Sequence, residues 1–220
     1  MKKIILSLLL LCAAVGIQAQ TDRYACWLNA ATGAWEWGFF KDFAVHDARQ
    51  WQYAAVKEGR KKTAVTLRSG KETLQLEIRY QNDSVCTIAV DDGKAQTYRL
   101  WNSAKSILSY LPADTAASRP CQFHENSVML RGYLPDFPNQ NLEYIYYERF
   151  QDTQKIANVP TDSIGRFELS IPVLGRTEVL FRIQSHMFSL LLSPQSECFL
   201  WIKGNSFLMM GENGRINHEL

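Results

Sequence analysis

The sequence predicts an all-β protein in which two antiparallel β modules follow a signal peptide. Many segments of strand length alternate apolar with polar residues, as in the segment 166–171, where every second residue is apolar. A period of two buries one face of a sheet and leaves the other face in water. Turn-forming residues separate these segments about every ten residues, and no segment shows a convincing helical period. These three observations together define the fold class.

Residues 20–101 form the first predicted module. Its strand-like runs follow one another with short turn segments between them, which is typical of a meander. A sheet of this size with one face in water must curl or pair to hide its other face. We therefore expect a small open barrel or half-barrel, with strands at 24–29, 34–40, 51–56, 63–67, 73–80, 84–90 and 95–101.

Residues 127–210 form the second predicted module, a β-sandwich of about seven short strands. Segment 102–126 is a predicted linker, because its alternation stops and it is rich in Pro, Ala and Ser. Within the sandwich, Asp162 and Gly165 predict a hairpin turn. Two segments that are apolar on both sides, 190–192 and 199–202, predict central strands. Residues 211–220 predict a glycine-bearing turn and the start of a truncated helical linker.

The first 19 residues have the composition of a secretory signal peptide, with Lys2 and Lys3, a short apolar run and a small-residue cleavage site at 17–19. Cleavage there predicts export to the periplasm or outer cell envelope, with no transmembrane segment left in the mature chain. Loss of the two lysines lowers the formal net charge from +2 to 0, so there is no electrostatic case for binding nucleic acid. The alternative is a lipoprotein signal acylated at Cys12, although Leu11 precedes it where a small residue is usual.

Four cysteines remain in the mature chain, and no two of them form a Cys-x-x-Cys pair. The spacing that lowers a thiol pKa and supplies a resolving thiol is therefore absent. Cys86 and Cys198 are predicted to be buried on strands, where free cysteine behaves as a small apolar residue. Cys26 and Cys121 lie near module edges, and both a disulfide and free thiols stay open for them.

The sequence predicts no catalytic, metal-binding or cofactor-binding set. The four histidines show no metal-ligand spacing, and phosphate-binding loops are absent. His46 and Asp47 could serve a hydrolase as base and orienting group, but no nucleophile setting accompanies them, so a surface loop is favoured. Asp91 and Asp92 resemble paired carboxylates, yet Gly93 explains them as turn residues.

Five of the six tryptophans lie in the first module. Indole faces bind sugars and flat apolar molecules well, which makes four of these residues candidates for contact with a ligand or at an interface. The other interpretation, which we favour, is that they fill a small core with few helices to cover it. The four candidates are Trp27, Trp35, Trp37 and Trp51.

Several short motifs resemble envelope proteins of the TlpA-like thioredoxin superfamily. In the first module the resemblance lies in segment 26–44, followed by Asp47, Trp51 and Tyr53. The second module is similar to the β-sandwich that precedes the thioredoxin fold in many such proteins. Its matching residues are Gly132, the motif Asp162-x-x-Gly165-x-Phe167, Pro194, the exit segment 211–217 and Leu220.

The chain departs from the family pattern in two places. Gln195, Ser196 and Glu197 follow Pro194 where relatives usually carry Gly-Asp, and the chain reaches Leu220 without the thioredoxin fold and its Cys-x-x-Cys. The resemblance therefore implies an exported, non-catalytic accessory region of a thiol-disulfide oxidoreductase. Such a region would position substrate or self-associate, beside a thioredoxin-fold domain or protein. The alternative is a free-standing envelope binding protein whose Trp-rich module holds a glycan or an apolar ligand.

Overall fold

The computed structural model describes residues 25–102, 126–148 and 153–219. The predicted signal peptide, nearly all of the predicted linker and Cys121 lie outside the described residues. The described chain divides into two compact units. The first unit holds 25–28, 36–46 and 50–101, and the second holds 29–35, 47–49 and the described residues from 102 onward.

The first unit is built on an eight-stranded antiparallel barrel in which each strand pairs with the next in sequence and the sheet closes on itself. At the closure, the Trp101 N–H donates a hydrogen bond to the Cys26 carbonyl at 2.8 Å. The strands are β1 (Ala25–Asn29), β2 (Trp35–Phe39), β3 (Phe43–His46), β4 (Arg49–Glu58), β5 (Thr63–Ser69), β6 (Glu72–Asn82), β7 (Val85–Val90) and β8 (Gln96–Leu100).

The all-β fold class is confirmed, and the meander closes completely where an open barrel or half-barrel was expected. Closure uses one strand that the sequence did not predict, β3. Phe43, Ala44 and Val45 are all buried, so β3 lacks the alternation by which the other strands were recognised. A closed sheet has no unpaired edge, which removes the hazard of edge-to-edge association.

Side chains from alternate positions fill the barrel. Opposite residues on antiparallel neighbours face the same side of a sheet, and an eight-stranded barrel is just wide enough for side chains to fill it. Three opposite pairs form interior rows, and Trp27, Trp37 and Trp51 join the same core. The pairs are Val65 with Leu76, Ile78 with Ile88, and Cys86 with Tyr98, all of them buried.

The second unit contains a β-sandwich of two four-stranded sheets that share one apolar core. The elements are β9 (Asn126–Tyr133), β10 (Asn141–Glu148), β11 (Thr153–Pro160), β12 (Arg166–Val173), β13 (Thr177–Ile183), β14 (His186–Leu192), β15 (Glu197–Lys203), β16 (Ser206–Gly211) and the short helix α1 (Gly214–Glu219). One sheet has the order β11-β10-β13-β14 and the other the order β12-β9-β15-β16; β9 and β15 pair in parallel.

The turn at Asp162 and Gly165 connects the two sheets, so the prediction of a hairpin there was wrong. β11 pairs with β10, whereas β12 pairs with β9 in the other sheet. Asp162 organises this corner: its Oδ1 accepts the N–H of Ile164 at 3.0 Å and that of Arg166 at 2.8 Å, and its Oδ2 accepts Arg166 Nε at 2.7 Å. An Asx turn marks a change of direction in either arrangement, and so the sequence could not tell a corner from a hairpin.

Phe167 covers a bare stretch of backbone at Gly132. The two residues lie opposite each other on β12 and β9. A Cβ atom on residue 132 would lie 2.2 Å from a ring carbon of Phe167, whose side chain is buried. The ring therefore occupies the space that a side chain at 132 would need, as aromatic residues do opposite strand glycines. This one contact therefore explains why residue 132 is a glycine and why residue 167 is aromatic.

The strand that contains residues 190–192, β14, lies at the edge of its sheet, so the prediction of a central strand was wrong there. The prediction was right for residues 199–202, since β15 lies between β9 and β16. Asn217 of α1 hydrogen bonds to the backbone of Leu191 on β14. The outer edge of β14 is thus partly covered by the helix, which allows an apolar sequence on an edge strand.

Substitution of Gly165 tests the corner. Gly165 has φ 94°, and a Cβ atom there would lie 2.1 Å from the Leu134 carbonyl oxygen. Gly165→Ala is expected to lower the free energy of unfolding by about 3 kcal/mol, since backbone strain and a backbone clash add together. The matched control is Gly70→Ala, at φ 59° with nothing within 4 Å, which should cost only about 1 kcal/mol. Equal losses in denaturant titrations would contradict the clash.

Candidate functional site

The exit segment, residues 211–217, is fixed to the sandwich by a cluster of buried polar side chains around Asn213. Asn213 is 2% exposed; its Oδ1 accepts the Ser193 hydroxyl at 2.8 Å and its Nδ2 donates to Ser196 Oγ at 3.0 Å. Ser196 in turn donates to the Ser193 carbonyl at 2.6 Å. Buried polar groups are costly unless they are paired, and here they pair with one another. The cluster joins the start of α1 to the loop between β14 and β15.

Asn217 joins the other side of α1 to β14. Its Oδ1 accepts the Leu191 N–H at 2.6 Å, and its Nδ2 donates to the Leu191 carbonyl at 2.9 Å and to the Asn213 carbonyl at 2.8 Å. The amide therefore meets both backbone groups of one edge residue, as a neighbouring strand would. Together, Asn213 and Asn217 fix the direction of α1.

His218 contributes a third link between α1 and the sandwich. Its Nε2 accepts the Met209 N–H at 3.1 Å, and its ring packs edge-on against Phe207, with ring centroids 5.1 Å apart. Burial lowers the pKa of His218 to about 4. The imidazole is therefore neutral at pH 7 and acts as a hydrogen-bond acceptor, which a protonated ring cannot do.

The loop after Pro194 keeps a glycine-like backbone without a glycine. Gln195 has φ 60°, in the left-handed region that glycine adopts most readily. Ser196 occupies the next position and supplies the hydroxyl that Asn213 binds.

The three described cysteines are free and buried. Burial raises the pKa of the Cys26 thiol, and it raises that of Cys86 to about 12. The pKa of Cys198 is also raised by burial, although Asn213 lies 3.5 Å from its sulfur. Protonated, buried thiols are poor nucleophiles. Cys86 and Cys198 are thus buried strand residues, as the sequence predicted. Of the two cysteines for which a disulfide and free thiols were both open, Cys26 is free, and Cys121 lies outside the described residues.

The four candidate tryptophans are all buried. Trp37 is fully buried, and Trp27, Trp35 and Trp51 are each 4% exposed. Trp27, Trp37 and Trp51 belong to the barrel core. Trp35, which belongs to the second unit, packs edge-on against Phe199 with ring centroids 6.1 Å apart. These positions agree with the core interpretation, while direct contact of the tryptophans with a ligand stays a prediction.

His46 has a structural setting in the barrel. Its ring stacks on Trp37 with a centroid separation of 3.7 Å and an interplanar angle of 1°, and its Nδ1 lies 3.0 Å from the Glu36 carbonyl oxygen. The Glu36 carboxylate accepts the hydroxyl of Tyr98 at 3.0 Å. Burial, and next the Glu36 charge, raise the pKa of Tyr98, so that its hydroxyl is a donor and not a base.

Sequence reasoning missed two parts of the molecule that bear on function. One is the Asn213 cluster, because Asn and Ser in a glycine-bearing segment also suit an ordinary solvated turn. The other is an end of the barrel where Val56 and Tyr80 are 50% and 55% exposed. Alternation in the segment 73–80 predicts that Tyr80 lies on the same face as Leu74, Leu76 and Ile78, but not that the core leaves Tyr80 exposed.

Within residues 25–102, 126–148 and 153–219, no group of three or more His, Cys, Asp and Glu side chains is placed to bind a metal ion. Nor does any helix in this described part have the length and apolar character needed to cross a membrane.

Comparisons of the chain with protein-family models, with curated proteins and with solved structures found no match.

The low pKa of His218 predicts a pH-dependent stability. The unfolded imidazole titrates near 6.5 and the folded one near 4, so the unfolded state binds the proton more tightly. Stability should be constant above pH 6.5, fall by about 2–3 kcal/mol between pH 6.5 and 4, and flatten below pH 4 as far as His218 is concerned. Denaturant titrations across this range measure it.

The control for this prediction is His218→Gln, whose side chain can accept a hydrogen bond but does not titrate. The part of the pH dependence that belongs to His218 should disappear in this variant. If the wild-type protein and the variant lose the same free energy of unfolding between pH 6.5 and 4, the role assigned to His218 is wrong.

Proposed function

We propose that this chain is a non-catalytic accessory region of a thioredoxin-family thiol-disulfide oxidoreductase in the cell envelope, and that it positions substrate or mediates self-association. Its catalytic partner would be a thioredoxin-fold domain or a separate protein. The proposal places the chain in the periplasm or outer cell envelope, on the basis of the signal peptide predicted for residues 1–19.

The observation that carries this proposal is the fixed exit segment. Four side-chain hydrogen bonds of Asn213 and Asn217 tie α1 to β14 and to the loop that follows it, and these residues lie in the segment that carries the resemblance. A helix fixed in this way is a rigid element, whereas a solvated turn would leave its direction free. An accessory region needs such a rigid element to hold a partner at a defined orientation.

The burial of the described thiols supports a role without catalysis. A disulfide reductase needs an accessible thiolate with a lowered pKa and a second thiol close by to resolve the mixed disulfide. Cys26, Cys86 and Cys198 are at most 2% exposed, and burial raises the pKa of each thiol. These three thiols are therefore buried and have raised pKa values, whereas a disulfide reductase needs an accessible thiol with a lowered pKa.

Self-association has support from one face of the sandwich. Tyr147, Ile156 and Met187 are 49%, 61% and 61% exposed. The registers of β10, β11, β13 and β14 place them on the face that also carries Ile145 and Leu180, the side away from the buried Tyr144-to-Phe181 face. The Arg182–Glu143 ion pair lies on this face as well, with Arg182 opposite Met187. Exposed apolar side chains on one face are typical of interaction surfaces. Sedimentation velocity on the mature chain measures the oligomeric state.

The accessory role predicts two kinetic results. In an insulin-reduction assay, the mature chain alone should give no rate above background. The second assay uses a Cys-x-x-Cys thioredoxin-fold protein encoded beside this chain. Adding the chain should lower the KM of that protein for a protein disulfide and leave its rate with a small disulfide unchanged, because positioning acts only on a substrate large enough to contact both partners.

Asn217→Ala provides the matched variant for the second assay. It removes the two bonds to Leu191 and so loosens α1, while the sandwich core is left intact. The KM effect should weaken in this variant, with an unchanged circular dichroism spectrum. Disulfide reduction by the chain alone, or a KM that does not respond to the chain, would contradict the accessory role.

A further inference from the structure

One end of the barrel exposes side chains that face its interior. Tyr80 lies opposite Cys86, and Cys86 lies opposite Tyr98 in the next pair, so all three face the same side of the sheet. Cys86 and Tyr98 are buried in the barrel core, whereas Tyr80 is 55% exposed. The core therefore stops short of Tyr80.

Val56 shows the same behaviour on a second strand. It lies opposite Val65, which lies opposite Leu76, and both of these are buried in the core. Val56 is nevertheless 50% exposed. β4 and β6 run in the same direction, because each is antiparallel to β5 between them. Val56 and Tyr80, near the carboxyl ends of these strands, thus belong to one end of the barrel.

Aromatic rings form the floor and one wall of this barrel end. The Tyr80 ring lies 6.1 Å from the ring of Trp27 on β1, tilted by 48°, so that Tyr80 extends over the buried indole. Tyr53 lies opposite the core residue Leu67 and donates its hydroxyl to the Phe40 carbonyl at 2.9 Å. Phe40 directly follows the carboxyl end of β2, and β2 runs in the same direction as β4 because each is antiparallel to β3 between them, so this hydrogen bond lies at the same end of the barrel. Burial, and next the charges of Tyr80 and Asp42, raise the pKa of Tyr53.

Two carboxylates are among the charges that act on these phenols. Glu58 lies opposite Thr63, which lies opposite the core residue Ile78, so Glu58 is on the interior-facing side of β4. It contributes to the raised pKa of Tyr80 after burial and Cys86, and Asp42 contributes similarly for Tyr53. The nearby cation Lys62 is paired with Glu77 at 2.5 Å, while Arg60 and Lys61 lie on the exposed hairpin tip.

We propose that this barrel end, formed by Trp27, Tyr53, Val56, Glu58 and Tyr80, binds a flat apolar molecule that carries a positive charge, such as a protonated or quaternary amine. The faces of the aromatic rings carry partial negative charge, and they attract a cation through cation–π interactions. The Glu58 carboxylate supplies a counter-charge at the rim. The proposal is independent of the accessory role, so either can fail without the other.

The proposal moves the ligand site away from most of the tryptophans first considered for it. Only Trp27 contributes to the barrel end, and it forms the floor beneath Tyr80 and not an exposed stacking face. A glycan is disfavoured, because sugar recognition also needs several polar groups to bind hydroxyls, and the Tyr53 hydroxyl already donates to a backbone carbonyl. An anionic apolar molecule is disfavoured by Glu58 and Asp42.

Thioflavin T, a flat cationic dye, serves as the probe. Saturable binding to the mature chain is expected, with quenching of tryptophan emission because Trp27 lies beneath the site. Binding should be at least about tenfold tighter than that of the anionic dye anilinonaphthalene sulfonate. Tyr80→Ala should weaken thioflavin T binding by about tenfold and Tyr80→Phe hardly at all. Glu58→Gln should reduce the preference for the cation.

The matched control is Phe137→Ala, which removes a half-buried aromatic ring from the second unit. It should leave dye binding unchanged. Circular dichroism and denaturant titrations show that each variant is folded, and if Tyr80→Ala is unstable, the loss of cation preference in Glu58→Gln tests the site instead. Absent binding, no preference for the cationic dye, a Glu58→Gln variant with the wild-type preference, or equal losses in Tyr80→Ala and Phe137→Ala would overturn the proposal.

Discussion

Closure of the eight-stranded sheet is the constraint on which the first unit depends. Once the Trp101 N–H binds the Cys26 carbonyl, the strands enclose a space that must be filled by side chains. Trp27, Trp37 and Trp51 fill it, which explains the density of tryptophan. The same closure leaves β4 and β6 extending beyond the core, so Val56 and Tyr80 are interior-facing and yet exposed.

In the second unit, residue types that act in catalysis in many enzymes have structural roles. Asp162 turns the chain from one sheet to the other, Cys198 is a buried strand residue, and His218 is a neutral acceptor for a backbone N–H. Each group is satisfied by partners within the unit, which is how buried polar groups are tolerated. These three residues therefore have structural roles within the second unit.

Alternation in the sequence predicted the strands and the all-β class, because a strand with one buried face has an apolar residue at every second position. It could not predict β3, where both faces are buried, or the partner of β12, because an Asx turn suits a hairpin and a sheet-to-sheet corner equally. The burial of Cys86 and Cys198 followed from their place on strands. The Asn213 cluster and the exposure of Tyr80 could not be predicted from the sequence. Both depend on which distant segments pack together, and a local sequence pattern does not contain that information.

The most direct test of this account is amide hydrogen exchange at the seam between β1 and β8, measured by NMR on the mature chain. If the barrel is closed around its tryptophan core, the Trp101 amide should be protected as strongly as amides of the inner strands β5 and β6, because it opens only with the whole unit. Exchange of the Trp101 amide at the rate of a solvated strand edge would show that the sheet is open. The interior rows and the barrel end would then lose their basis.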